Sequence, residues 1–231
     1  MVRDVFPYQK SEAGDLVEKI RREMAGRKDE IIFTDLGAGS LNQGGGQVKT
    51  NLGRLARRSA RHRRSGEMLF RLCRHFQPRR ILEFGTNLGI SALYQSFGAE
   101  NADILSLEGA APLAGIARQN LLQAGRDVEV VHTDFDSWLA SSALAELKPD
   151  YVFLDGNHQY QPTIDYVNRF LEHMPPESLL ILDDIHWSAG MSKAWEEICK
   201  DERITVSIDL FYLGLCFVKR KQAKEHFFIR M

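Results

Sequence analysis

Cysteine is scarce in this chain: Cys73, Cys199 and Cys216 are the only thiols among 231 residues, odd in number and irregularly spaced. That excludes a disulfide framework and a zinc-binding set, and predicts buried thiols in a reducing, cytoplasmic compartment. Long apolar runs are missing too. None approaches the ~20 residues of a membrane-spanning helix, and Met1 to Lys10 lack the apolar core of a secretory signal, so no membrane partner is expected. Acid is absent from one stretch, Lys49 to Arg64, where Lys49, Arg54, Arg57, Arg58, Arg61, Arg63 and Arg64 accumulate although the whole chain is nearly balanced at −1. With 44% hydrophobic and 26% charged residues, the composition predicts a globular chain able to bury a sizeable core, one α/β domain with an extra segment.

What is present falls into two textures. Residues 1–65 are polar, with one amphipathic pattern over Ala13–Met24 and glycines at 44, 45 and 46; they read as an N-terminal helical, loop and basic cap. Residues 66–231 alternate strand-like and helical segments. Strands are predicted at Arg80–Phe84, Ile104–Leu107, Val128–His132, Tyr151–Leu154 and Leu179–Leu182. Helices are predicted between and after them, at Leu88–Phe97, Pro112–Ala124, Ser137–Leu147, Thr163–His173 and Met191–Lys200. Such alternation predicts a doubly wound, mostly parallel sheet, and the wholly apolar Tyr151–Leu154 predicts a central strand covered on both faces. Ile204–Leu210 and Leu213–Lys219 are separated by only two residues, Phe211 and Tyr212, too few for a crossover, so they predict a closing antiparallel hairpin.

In open α/β sheets ligands bind at the carboxyl ends of strands. The first strand runs out into Glu83-Phe84-Gly85-Thr86-Asn87-Leu88-Gly89. Gly85, Thr86 and Gly89 form a turn that a ligand can approach closely, but the middle glycine of a dinucleotide fingerprint is absent. Glu83 would repel a pyrophosphate and attract a cation, such as the ammonium and sulfonium of S-adenosylmethionine. Glu108-Gly109 ends the second strand with an acid suited to ribose hydroxyls. Asp134-Phe135 after the third can take an adenine amino group and ring; equally, Asp134 can cap the next helix. Asp155, followed by Gly156, Asn157 and His158, ends the fourth strand, and Asp183-Asp184 ends the fifth. Gathered carboxylates call for a hard cation, Mg²⁺ above all; the alternative is that one holds cofactor or backbone and another caps a helix. His158 is a candidate base for the acceptor, and His186 and Trp187 are candidates for the substrate wall.

The chain resembles the class I O-methyltransferases of the catechol and caffeoyl-CoA type and related bacterial small-molecule methyltransferases, over roughly Gly66 to Val218. The strongest piece is Gly66-Glu67-Met68 followed at matching spacing by Glu83-Phe84-Gly85. The resemblance implies a seven-stranded Rossmann-like methyltransferase sheet and S-adenosylmethionine as cofactor. It implies Ser91 on the methionine carboxylate, Glu108 on the ribose, Asp155, Asp183 and Asp184 as metal ligands, and His158 with Asp155 as catalytic residues. Two positions depart from the family pattern: Asp184 replaces the usual Asn and His158 the usual Lys. A small-molecule acceptor, anionic if the arginines recruit it, and a homodimer complete the expectation. Glu83 and the missing glycine speak against a nicotinamide-dependent oxidoreductase. A nucleic-acid methyltransferase gains from the arginines but lacks a Pro-Pro-aromatic turn after the fourth strand, and a cofactor-binding protein without turnover is the remaining rival. Asp35-Leu36-Gly37-Ala38-Gly39 imitates the cofactor loop, but polar glycine-rich sequence follows it where a helix should.

Overall fold

The computed structural model describes residues 5–34, 46–59, 62–218 and 221–230. In chain order the elements are α1 (Glu12–Gly26), β1 (Glu30–Thr34), β2 (Gln47–Asn51), α2 (Leu52–Ser59), α3 (Arg63–Phe76), β3 (Arg80–Phe84), α4 (Ile90–Gly98), β4 (Asp103–Glu108), α5 (Ala111–Gln123) and β5 (Glu129–His132). They continue as α6 (Phe135–Leu139), α7 (Ala143–Leu147), β6 (Tyr151–Leu154), α8 (Tyr160–His173), β7 (Ser178–Asp183), α9 (Ala189–Lys200), β8 (Val206–Asp209), β9 (Leu213–Val218) and β10 (Glu225–Phe228). Two compact units divide the chain: Met1–Pro78 with Gly85–Asp134, and Arg79–Phe84 with Phe135–Met231. Residues 1–65 thus share a unit with residues 85–134, which include the loop after β3. No helix among the described residues is long and apolar enough to cross a membrane.

In the first unit α1 starts where Ser11 Oγ accepts the Gly14 amide at 2.9 Å, satisfying one of the amides a helix start leaves without an intrahelical partner. Its buried face carries Val17, Ile20 and Met24. Helices α3 and α4 pack so closely that a Cβ on Gly66 would lie 2.2 Å from the Tyr94 ring; the glycine is there for that approach. Strands β4 and β5 pair in parallel, with Glu108 opposite His132. A finding the sequence reading missed is the antiparallel hairpin β1–β2, which pairs Phe33 with Val48. Its alternating burial rests on Ile31 and Phe33, too short a run to separate from loop. The basic stretch divides between two helices, because α2 ends at Ser59 and α3 begins at Arg63. A single arginine face from Arg54 to Arg64 is therefore not formed. Arg61 and the Asp35–Gly39 motif lie outside the described residues.

The second unit holds six strands in the order β10-β8-β9-β7-β6-β3. β3, β6 and β7 run parallel, and β9 is antiparallel to both β7 and β8, which is the closing hairpin expected. Every residue of β6 and β7 is buried, as a strand covered on both faces requires. Each large apolar side chain hidden this way contributes about 1.5–3 kcal/mol. With β4 and β5 the α/β strands among the described residues number eight, one more than expected, because β10 adds a parallel edge beside β8. The single helix expected over Ser137–Leu147 is two, α6 and α7. Ser141 Oγ donates to the Trp138 carbonyl at 2.6 Å and Ser142 Oγ to Glu146 at 2.5 Å, and serines that hydrogen-bond locally compete with helix continuation.

Candidate active site

In the first unit lie the loop after β3 and the ends of β4 and β5. Gly85, Asn87 and Gly89 all take positive φ, at 99°, 48° and 80°, so the chain turns within five residues into α4. Gly89 also lets α4 approach α5, since a Cβ there would stand 3.3 Å from Ala117. The Gly85 and Thr86 amides donate to the Leu107 carbonyl at 3.0 and 3.1 Å, and the Thr86 and Ser106 hydroxyls share a 2.6 Å hydrogen bond. Ser91 is buried in the first turn of α4, where helix amides favour an anion.

Glu108 ties two segments of the first unit together. Its Oε2 accepts the Asn87 amide at 2.7 Å and its Oε1 the Ala110 amide at 2.9 Å. The carboxylate thereby binds the loop after β3 to the turn after β4 at Gly109. Asn87 Oδ1 is buried without a hydrogen-bond partner, an acceptor waiting for a donor that the described residues do not supply. The sequence reading passed over Asn87; its signal was an asparagine, a residue that tolerates left-handed backbone, between Thr86 and Leu88. Asp134 is exposed at the start of α6.

Described by itself, the second unit holds the carboxyl ends of β3, β6 and β7. Glu83 is fully buried in β3. Phe135 lies against Phe84, with ring centroids 4.7 Å apart, and a Cβ on Gly156 would meet the Phe135 ring at 2.7 Å. Gly156 is therefore the residue that seats Phe135, a role not seen from sequence. Asn157 turns the chain at φ 49° and leaves its Oδ1 buried without a partner. His158 Nε2 lies 3.7 Å from Asp155 Oδ1, with both side chains partly exposed, a separation longer than a hydrogen bond.

His186, expected at the substrate wall, is directed elsewhere. Its Nε2 reaches Asp209 Oδ2 at 2.8 Å and its Nδ1 reaches Ser192 Oγ at 3.1 Å. Asp209 is buried and also accepts the Trp195 indole at 3.0 Å and the Phe211 amide at 2.8 Å. Burial pushes the Asp209 carboxyl up, but the hydrogen bonds from His186, the Phe211 amide and Trp195, with the His186 charge, outweigh it and hold the carboxyl below its ordinary range. A lone acid in the apolar run Ile208-Asp209-Leu210 was the available sequence signal. Trp187, in contrast, is 61% exposed and stays open to a ligand.

The expected metal set is not assembled. Among the described residues no three His, Cys, Asp or Glu side chains form a group able to hold a metal ion. Asp155, Asp183 and Asp184 end their strands as expected, but the chain reverses immediately after β7. Asp184 takes φ 51° and its amide donates to the Tyr212 carbonyl at 2.8 Å, while Asp183 is buried. The residues present do not fit a Mg²⁺ site.

Known proteins agree with this architecture. Residues 82–185 match the family described as Methyltransferase domain. No curated protein matches the chain. Among solved structures, an O-methyltransferase from Bacillus cereus in complex with S-adenosylhomocysteine is 20% identical, with 94% of this chain and 95% of that one covered at a TM-score of 0.62. The O-methyltransferase TomG from Streptomyces achromogenes, involved in tomaymycin synthesis and in complex with S-adenosylmethionine, is 20% identical, covers 95% of each chain and has a TM-score of 0.62. The S-adenosylhomocysteine-bound methyltransferase PaMTH1 from Podospora anserina is 16% identical over 93% of this chain and 91% of that one, with a TM-score of 0.66. The chain has the fold of the class I methyltransferases, and residues 82–185 match their methyltransferase-domain family.

Proposed function

We propose that the protein is an S-adenosylmethionine-dependent methyltransferase acting on a hydroxyl of a small molecule. The observation that carries this reading is Glu108, an acid at the carboxyl end of β4 clasped by two backbone amides beside a positive-φ glycine loop, the strand end suited to a ribose diol. The buried, partnerless Asn87 Oδ1 supports a donor-bearing ligand at the same loop. In this reading Ser91 and the first turn of α4 bind the methionine carboxylate, Glu83 compensates positive charge, and Gly85, Thr86, Gly89 and Gly109 admit the ligand backbone-close. Asp134 and Phe135 flank the adenine. The solved O-methyltransferases carrying S-adenosylhomocysteine or S-adenosylmethionine support the cofactor choice.

S-Adenosylmethionine supplies, when bound, a methyl group on a sulfonium. What the chain must do is hold the acceptor oxygen in line and take its proton. His158 accepts that proton, and Asp155 at 3.7 Å stabilises the imidazolium that results. No step is assigned to a divalent ion. Exposed Arg54 and Arg58 on α2 support an anionic acceptor. The test is calorimetric: S-adenosylhomocysteine should bind wild type, and Glu108→Ala should weaken it about 30-fold, roughly 2 kcal/mol for lost charge-assisted hydrogen bonds. No binding to wild type, or equal binding by the variant, refutes the assignment.

A further inference from the structure

The first unit contains a cavity of about 620 Å³ that the cofactor reading does not use. Its walls include Lys10 and Ser11 at the entry to α1, and Glu67, Arg71, Arg74 and His75 from α3. Volumes of this size suit small-molecule ligands. The charge balance is uneven. Glu67 is fully buried but already matched: the Ser11 amide and hydroxyl donate to it at 3.0 and 2.8 Å, and Arg63 at 3.2 Å. Glu12 adds one more acid at the wall, against Lys10, Arg71 and Arg74.

Arg71 is the unusual member. It is 7% exposed, yet its hydrogen-bond partners are two backbone carbonyls, Nε to Val5 at 2.7 Å and Nη1 to Gln9 at 3.1 Å. No carboxylate forms an ion pair with the guanidinium among the described residues. A buried cation is costly unless paired. Burial lowers the Arg71 pKa, and the charges of Glu67 and Tyr8 only partly offset it.

We infer that this cavity binds an oxyanion, a phosphate or carboxylate group of a small molecule, with Arg71 at its floor and Lys10 and Arg74 at its mouth. Guanidinium forks match both groups bidentately, so the two sources share one chemistry. The inference does not rest on the methyltransferase reading. Calorimetry on the full chain at matched ionic strength, with inorganic phosphate, pyrophosphate and citrate as separate probes, separates the sources. At least one probe is expected to bind with a Kd of about 1 mM or tighter. The double variant Lys10→Gln/Arg74→Gln, whose side chains lie on the surface, should weaken that probe at least tenfold and leave S-adenosylhomocysteine affinity unchanged. Arg71→Gln should abolish probe binding; if it fails to fold, the double variant decides alone. Absence of binding by all three probes, or equal binding by the surface variant, overturns the site. Failure of S-adenosylhomocysteine to bind leaves these outcomes intact and counts only against the cofactor assignment.

Discussion

Replacing Asp209 by alanine removes one carboxylate and strands three donors at once: the His186 imidazole, the Trp195 indole and the Phe211 amide. Trp195 is 3% exposed and Asp209 itself 5%, so water cannot readily replace the lost acceptor. An unsatisfied buried donor costs about 1–3 kcal/mol. His186 is partly open to solvent, at 29% of its side chain, and recovers some of its loss. The sum is about 4 kcal/mol, which for a chain of this length lowers Tm by roughly 8–16 °C. Urea unfolding followed by tryptophan fluorescence measures the free energy, and near-ultraviolet circular dichroism reports whether Trp195 keeps its environment. The pH dependence provides a second reading. Because the Asp209 carboxyl titrates below its ordinary range in the folded protein, its contribution is complete above the unfolded value of about 3.9 and is lost as pH falls through the folded value. Asp209→Asn should flatten that acid limb. A loss below about 1 kcal/mol in Asp209→Ala, with the acid limb retained in Asp209→Asn, would show that the three hydrogen bonds are incidental to the closing hairpin.

Gly156→Ala should push its new methyl into the Phe135 ring, 2.7 Å from the Cβ position, costing about 1–3 kcal/mol in thermal unfolding and weakening S-adenosylhomocysteine in calorimetry. Methyl transfer, followed as S-adenosylhomocysteine release, should be unchanged by excess EDTA, since Asp155, Asp183 and Asp184 do not gather as a ligand group; loss of rate restored by Mg²⁺ would reverse that conclusion. Arg54→Gln/Arg58→Gln should raise the acceptor KM and flatten its salt dependence while leaving cofactor affinity alone. Unaltered kinetics across a salt series would leave these arginines as ordinary surface.

Strand positions were legible because burial on both faces leaves an unbroken apolar run: Tyr151–Leu154 and Leu179–Leu182 fall inside β6 and β7. The closing hairpin was legible from the shortness of Phe211-Tyr212 as a connection. Features set by partners distant in sequence were not. β10 depends on pairing with β8, and four exposed residues carry no hydrophobic pattern. Asp155, Asp183 and Asp184 were correctly placed at strand ends, but a ligand set is a matter of side-chain convergence. The left-handed turn at Asp184 decides that, and a single residue type does not announce it. Gly156 and Asp209 were similarly opaque, since their importance lies in what each touches, Phe135 in one case and His186 with Trp195 in the other.

The junction of Ser11 with Glu67 has a consequence for how this protein can change over generations. The Ser11 amide and hydroxyl and the Arg63 guanidinium all donate to one carboxylate with no exposure, and Gly14 leaves no room beside it, since a Cβ there would lie 2.1 Å from Glu67 Oε1. Loss of Ser11, Arg63 or Glu67 alone leaves a charge or donor without its counterpart, and any side chain at position 14 runs into the Glu67 carboxylate. Residues 11, 14, 63 and 67 are therefore expected to vary among descendants as a block, and a lineage that loses the acid should be found to have replaced the arginine with it.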